Sequence, residues 1–395
     1  MANSASSKGW KKVKLGDVAE IVGGGTPKTN VKEYWNGKIP WITPRDLSGF
    51  KGKYITHGER NISKLGLDNS SAKLLPKETV LLSTRAPVGY LAIAKNEIST
   101  NQGFRSLVPN EKIDNEFLYY LLKNNIEYLK SQATGTTFGE LAGSTLKSLE
   151  FFIPPLPEQK AIASVLSSLD DKIDLLHRQN QTLEKMAETL FRQWFIEEAK
   201  EDWEEKPLAF FGDIICGKTP SKKKPEYFNG NIPFIKIPDM HGKTFIFETS
   251  DSLTEEGKNS QINKTLPPKS ICVSCIETVG LVSMNVFECQ TNQQINSIIP
   301  RKEYYRYYLY LLLRSLKELL IAMASGGTAT LNLNTKNFSN IPVPLPENDI
   351  LIRFHILVES LFDKILKNQQ QILTLEQLRD SLLSKLISGE VRVKF

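Results

Sequence analysis

Cysteine and histidine are both scarce in this chain, with four of each in 395 residues. Cys216, Cys272, Cys275 and Cys289 all fall in the second half, too few and too uneven for a disulfide framework. His57, His177, His241 and His355 are scattered and support neither a metal-ligand spacing nor a catalytic triad. No apolar run approaches the roughly 18–20 residues of a membrane helix. The opening stretch MANSASSKGWKKVK has charge but no apolar signal segment, which points to a cytoplasmic protein. Also missing are a glycine-rich methyl-donor loop, an Asn/Asp-Pro-Pro-Tyr/Phe strip and a GxxxxGK[ST] phosphate loop. The expectation is a non-catalytic chain with no metal and no cofactor of its own. Apolar content of 40% and charged content of 24% are ordinary for a globular protein.

Two stretches also lack proline and glycine, residues 158–206 and 347–388, and each follows a proline cluster: FIPPLPEQ ending at Gln159, and IPVPLPEN ending at Asn348. Between them lies a repeat, the feature that most constrains architecture. EYWNGKIPWI (Glu33–Ile42) returns as EYFNGNIPFI (Glu226–Ile235), with three of ten positions changed. Gly25-Thr26-Pro27 answers Lys218-Thr219-Pro220, and Asp46 answers Asp239. STNQGFRSLVP (Ser99–Pro109) answers QTNQQINSIIP (Gln290–Pro300). Each copy predicts a Gly/Thr/Pro turn, then short strands such as Thr79–Thr84 and Gly89–Ala94. An amphipathic helix comes next, Asp114–Gln132 stopped by Gly135, or Tyr304–Ala324 stopped by Gly326-Gly327. The fold class is therefore α+β: two similar mixed units, each followed by a long helix. The boundaries fall at 1–157 and 201–346 for the units, and at 158–200 and 347–395 for the helices with the tail.

The repeat also weighs against two metal readings. Pro238-Asp239 with Glu256-Gly257-Lys258 has a nuclease outline, but the first copy offers Asp46 without a Glu-x-Lys. Cys272-Val-Ser-Cys275 with Cys289 suggests zinc, but the counterparts Leu81, Thr84 and Ile98 bind no metal. The cysteines read as strand-packing residues.

In the first long helix, Ile162, Leu169, Leu176, Leu183 and Leu190 stand seven apart, and so do Leu166, Ile173, Asn180, Ala187 and Trp194. In the second, Phe354, Leu361, Asn368, Leu375 and Leu382 form one series; Val358, Ile365, Ile372, Arg379 and Leu386 form the other. These are d and a positions of a coiled coil. An antiparallel pairing of Asn180 with Asn368 sets Trp194 against Phe354, Leu183 against Ile365 and Ile162 against Leu386. It also sets Leu169 against Arg379, whose stem can lie on apolar surface. A lone asparagine facing leucine would leave a buried amide unsatisfied, at about 1–3 kcal/mol, so the pair is expected to define the register. About 40 helical residues span about 60 Å. A rod of that length suits two units held a fixed distance apart in a pseudo-twofold arrangement.

The formal net charge is +6, yet residues 159–200 and 347–390 carry more acid than base, so the positive excess lies in the units. Lys28, Lys32 and Lys38 flank the first Gly/Thr/Pro turn, and Lys218, Lys222, Lys223 and Lys224 the second. Lysine loops with nearby Asn, Gln, Thr and Tyr suit phosphate clamping beside base-edge hydrogen bonds. The TNQ segments, kept in both copies, read as structural. Base readers belong where the copies disagree: Arg45, Lys51, Lys53 and Arg85 in one, Lys236, Lys243 and Lys264 in the other.

Twin units with TP…YWNGKIPW…RDL and TNQG, each running through a PPLPEQ-like segment into a long helix, resemble the specificity subunit of a type I restriction–modification system. The resemblance covers nearly the whole chain. It implies target recognition domains that each read half of a bipartite double-stranded DNA site. It implies that the long helices set the spacer and dock two methyltransferase (M) subunits. Restriction (R) subunits would join in the full complex, with S-adenosylmethionine, ATP and Mg used by those partners. The rival reading is a two-headed protein–protein scaffold without DNA contact.

Overall fold

The computed structural model describes residues 9–85, 87–134, 139–325 and 331–394. Gly135, Gly326 and Gly327 lie outside the described residues. The chain divides into two compact units. One runs to Leu175 and resumes at Leu373; the other is Leu176–Ile372. Each unit thus takes part of both long helices.

In the first unit, Ala19–Gly23, Phe104–Pro109, Val80–Thr84, Val88–Ala94 and Tyr54–Ile55 lie side by side in that order. The first four are joined antiparallel, and Tyr54–Ile55 pairs parallel with the strand beside it. The second unit repeats this order with Gly212–Cys216, Ile295–Pro300, Ile271–Ser274, Val282–Asn285 and Phe245–Ile246. Each unit adds a three-stranded sheet, centred on Trp35–Ile42 in one and Phe228–Ile235 in the other. The duplicated strand order is the structural counterpart of the duplicated motifs.

Strand periodicity assigns the core. Val80 and Leu82 enter one apolar cluster while Leu81, between them, enters another, as alternation across a pleat requires. Cys272 and Cys289 stand in the second unit's smaller cluster where Leu81 and Ile98 stand in the first. Burial pushes the Cys272 thiol up to about 12 and Cys275 to about 11, so both remain protonated packing groups at neutral pH.

The amphipathic helix of each unit is two helices. Asn115–Asn124 is capped by Asp114, whose Oδ1 accepts from Phe117 N at 2.9 Å, and a second helix spans Ile126–Ser131. The break falls at Asn125, whose Nδ2 donates back to Leu121 O at 2.8 Å. The other unit has Arg306–Ser315 and Lys317–Ala324.

The long helices are Leu156–Arg192, continued by a π-helical turn over Gln193–Glu197, and Asn348–Ser388. Within Leu176–Ile372 they run antiparallel, with Asn368 Nδ2 donating to Asn180 Oδ1 at 2.9 Å and the Trp194 and Phe354 rings 5.8 Å apart. Asn180 and Asn368 are 6% and 1% exposed. In the other unit Arg379 does more than lie along Leu169. Its Nη1 donates to Asp170 Oδ1 at 3.0 Å, and Asp170 Oδ2 also accepts from Tyr120 at 2.6 Å. Off-seam residues carry the helices into the unit cores: Phe191, Phe195 and Phe362 in one, Ala163, Leu383 and Ile387 in the other.

The asparagine pair yields a stability test. Asn368→Leu alone is expected to cost about 1–3 kcal/mol, because the Asn180 amide stays buried without its partner. Asn180→Leu with Asn368→Leu is expected to exceed the wild type in denaturant midpoint. A double variant weaker than either single one would show that the pair is not what fixes the register.

The Glu of each PLPE segment is a clasp. Glu158, fully buried, accepts from Arg392 Nε at 2.6 Å and Nη2 at 2.7 Å. Glu347 accepts from Lys200 and, at 2.8 Å, from Trp203 Nε1. The Lys200 hydrogen bond, before the others, lowers the Glu347 pKa to about 2.

Candidate nucleic-acid interface

The Gly/Thr/Pro turn and the TNQ turn are tied together the same way in both units. Thr26 Oγ1 donates to Gln102 Oε1, and Thr219 Oγ1 donates to Gln293 Oε1 at 2.7 Å. Gly25 N and Lys218 N each donate at 2.9 Å to the carbonyl of the TNQ threonine, Thr100 or Thr291. The approach is close enough to require glycine. A Cβ on Gly24 would lie 2.0 Å from Asn101 O, and one on Gly217 would lie 2.1 Å from Asn292 O.

The TNQ residues divide their tasks. The threonines are buried. Asn101 Oδ1 accepts from Gly103 N at 2.9 Å and Asn292 Oδ1 from Gln294 N at 3.2 Å, closing the turn. The glutamines are exposed at the tip. Asp46 and Asp239 brace the adjoining loop. Asp46 accepts from Thr43 N and Glu59 N, both at 2.7 Å; Asp239 accepts from Lys236 N at 2.8 Å and Ser250 N at 2.9 Å. Both oxygens of Asp239 are therefore engaged by backbone donors, and Lys258 is paired with Glu255 and Glu288. The nuclease outline is a pair of structural fastenings.

Different side chains hold the lysine-bearing loop in the two units. Trp41 Nε1 donates to Gly25 O at 2.9 Å, and Trp35 Nε1 to Lys28 O at 3.1 Å. Phe234 and Phe228 replace these indoles and have no donor. In that unit Gln261 Nε2 donates to Lys218 O at 2.6 Å and to Gln290 Oε1 at 2.8 Å. Lys224 Nζ donates to Tyr227 OH at 2.8 Å.

Lys28, Lys32, Arg45, Lys51, Arg85, Lys218, Lys222, Lys223 and Lys243 are exposed, and among the described residues none forms an ion pair; Lys264 is half-buried and likewise unpaired. Lys53 is corrected, and Lys236 is engaged in an ion pair. Lys53 is 8% exposed, with its ammonium 3.0 Å from Glu116 and 3.7 Å from Asp171, so it ties the sheet to the long helix. Burial acts to raise the Glu116 pKa, but hydrogen bonds from Ser167, Tyr54 and Lys53 outweigh it and hold the carboxyl below its usual range. Lys236 is half-buried and paired with Asp251 at 2.5 Å. The Lys53 ammonium is thus committed inside the protein, whereas Lys236 forms a partly exposed pair.

Arg60 was not singled out from the sequence. It is exposed, its guanidinium lies 3.5 Å from the centre of the Trp35 ring, and it has no ion-pair partner among the described residues. It sits opposite Trp41 in the three-stranded sheet; Asp251 sits opposite Phe234 in the other. One backbone position thus carries opposite charges in the two units. That divergence was legible once the strands were aligned.

No helix among the described residues is long and apolar enough to cross a membrane. The family profile for the type I restriction modification DNA specificity domain matches residues 7–185 and again 200–383. The chain is 38% identical to the type I restriction enzyme MjaIX specificity subunit of Methanocaldococcus jannaschii, over 98% of this chain and 94% of that protein. It is 34% identical to the HindI specificity subunit of Haemophilus influenzae, over 97% and 99%. Among solved structures, the S subunit of a type I system from M. genitalium overlays with a TM-score of 0.64 over 98% of both chains, at 18% identity, which supports the two-domain fold. The protein belongs to the type I restriction–modification DNA specificity family, with one family domain in each half of the chain.

Proposed function

We propose that this chain is the non-catalytic DNA-reading subunit of a type I complex in the cytoplasm. Residues 1–157 and 201–346 each read half of a bipartite site, and the long helices, with their flanks over 158–200 and 347–395, set the spacer and dock two methyltransferase subunits. Restriction subunits complete the complex, and S-adenosylmethionine, ATP and Mg are used by the partners. The observation that carries the reading is the duplicated turn pair, built in the same way in each unit and flanked in each by exposed, unpaired lysines. Such lysines neutralise phosphates and release counterions, while divergent side chains such as Arg60 contact base edges.

The test is a salt titration on random duplex DNA. About five phosphate contacts would give a slope of log K against log salt near −4.5. A slope near zero would overturn DNA binding and favour the two-headed protein scaffold.

A further inference from the structure

We infer that Glu303, His355 and Glu359 form a divalent transition-metal site that fastens the sheet domain of the second unit to its long helix. One potential ligand atom from each of the three lies within 4.8 Å of the others. His355 and Glu359 are one turn apart on the helix Asn348–Ser388, with Nε2 and Oε1 separated by 3.7 Å. Ligands bound to zinc at about 2.0–2.2 Å in a tetrahedron stand about 3.3–3.6 Å apart, so the gap is close to that of a bridging ion and too long for a hydrogen bond.

The imidazole provides the second observation. His355 is 7% exposed, and Nε2, the ring nitrogen that faces Glu359, lies 3.7 Å from Oε1 without a hydrogen bond to it, while Nδ1 is buried with no partner of its own. Neither ring nitrogen makes a hydrogen bond to the described residues, which is costly for a buried polar group that serves only as packing. Its ring stacks on Tyr307 with centroids 5.0 Å apart, which fixes its plane. Glu303 is on the turn Glu303–Tyr305 and accepts from Arg306 Nη2 at 3.1 Å through Oε1, leaving its other oxygen for an ion.

The other unit uses a different fastening in the corresponding place. Glu116, the second residue of Asn115–Asn124, accepts from Ser167 of the long helix at 2.5 Å. Tyr307, the second residue of Arg306–Ser315, instead meets His355. Spacing along the chain conceals the site, because Glu303 lies more than fifty residues before His355.

The experiment titrates the full-length, chelator-stripped protein with Co²⁺, followed by ligand-field absorption, and then with Zn²⁺, followed by the unfolding midpoint. One equivalent of Co²⁺ is expected, displaced by Zn²⁺, with a midpoint rise of about 3 °C at saturating Zn²⁺. Glu303→Gln changes an exposed side chain, and His355→Phe keeps the ring on Tyr307, so both variants should fold. Each is expected to weaken binding at least tenfold. No binding would overturn the site, and binding that either variant leaves unchanged would overturn it too and assign the ion to other histidines or cysteines.

Discussion

Removing residues 172–178 together with 370–376 is expected to shorten the gap in the proposed bipartite DNA site by about three base pairs and to leave both half-sites as they were. The segments are matched: they remove Ile173 with Leu375 and Leu176 with Ile372, the layers between the Asn180–Asn368 pair and the Asp170–Arg379 pair. Ile173, Leu176 and Ile372 are buried, but none of the removed residues enters the large apolar clusters of the units, which take Ile162 and Leu166 on one side and Ala187 and Phe191 on the other. A heptad advances a helix by about 10.5 Å, and the DNA phosphates on one strand are about 3.4 Å apart. It also returns the a/d seam to nearly the same angle, with about 20° of drift, so each surface turns little about the axis. Mapping the adenines methylated by the assembled complex would read the outcome directly. A changed half-site, or an unchanged gap, would defeat the idea that the helices act as the ruler.

What could be read from the sequence follows from which interactions are periodic. The long helices were legible because the apolar series repeats every seven residues, and their antiparallel register was legible because an unsatisfied amide is costly. The contact between Asn180 and Asn368 was anticipated for that reason. The flanks were not legible. Phe191, Phe195, Phe362 and Leu383 lie off the seam, and nothing in a heptad says that a neighbouring sheet domain covers them. The same limit explains the charged residues. Lys53 stands beside Lys51 in sequence and Lys236 in the apolar run IPFIKIP, and only the tertiary fold brings Glu116 and Asp251 to them. The Glu158–Arg392 clasp joins residues far apart in the chain, so no local pattern announces it. The helix breaks at Asn125, and its counterpart at Leu316, although the apolar spacing of the first runs straight through the break.

Lys218→Gln, Lys222→Gln and Lys223→Gln, combined in one chain, are expected to weaken duplex binding by about 10²–10³-fold at 0.1 M salt without changing the preferred sequence. Each phosphate deprived of its lysine should make the salt slope shallower by about 0.9, so the triple variant flattens it by about 2.7. The three side chains are exposed and form no ion pair among the described residues, so folding loses little with them. Phosphates carry no base identity, which is why affinity should fall while both half-sites stay the same. The buried lysines make the contrast. Lys53→Gln leaves Glu116 short of a donor inside the protein, and should lower the unfolding midpoint while leaving DNA affinity nearly constant. Binding curves against ionic strength, with a selection from randomised duplexes, would separate these outcomes. If the triple variant kept its affinity, the turn face would not be the DNA-contacting face. If it altered one half-site, its lysines would be reading bases instead of clamping the backbone.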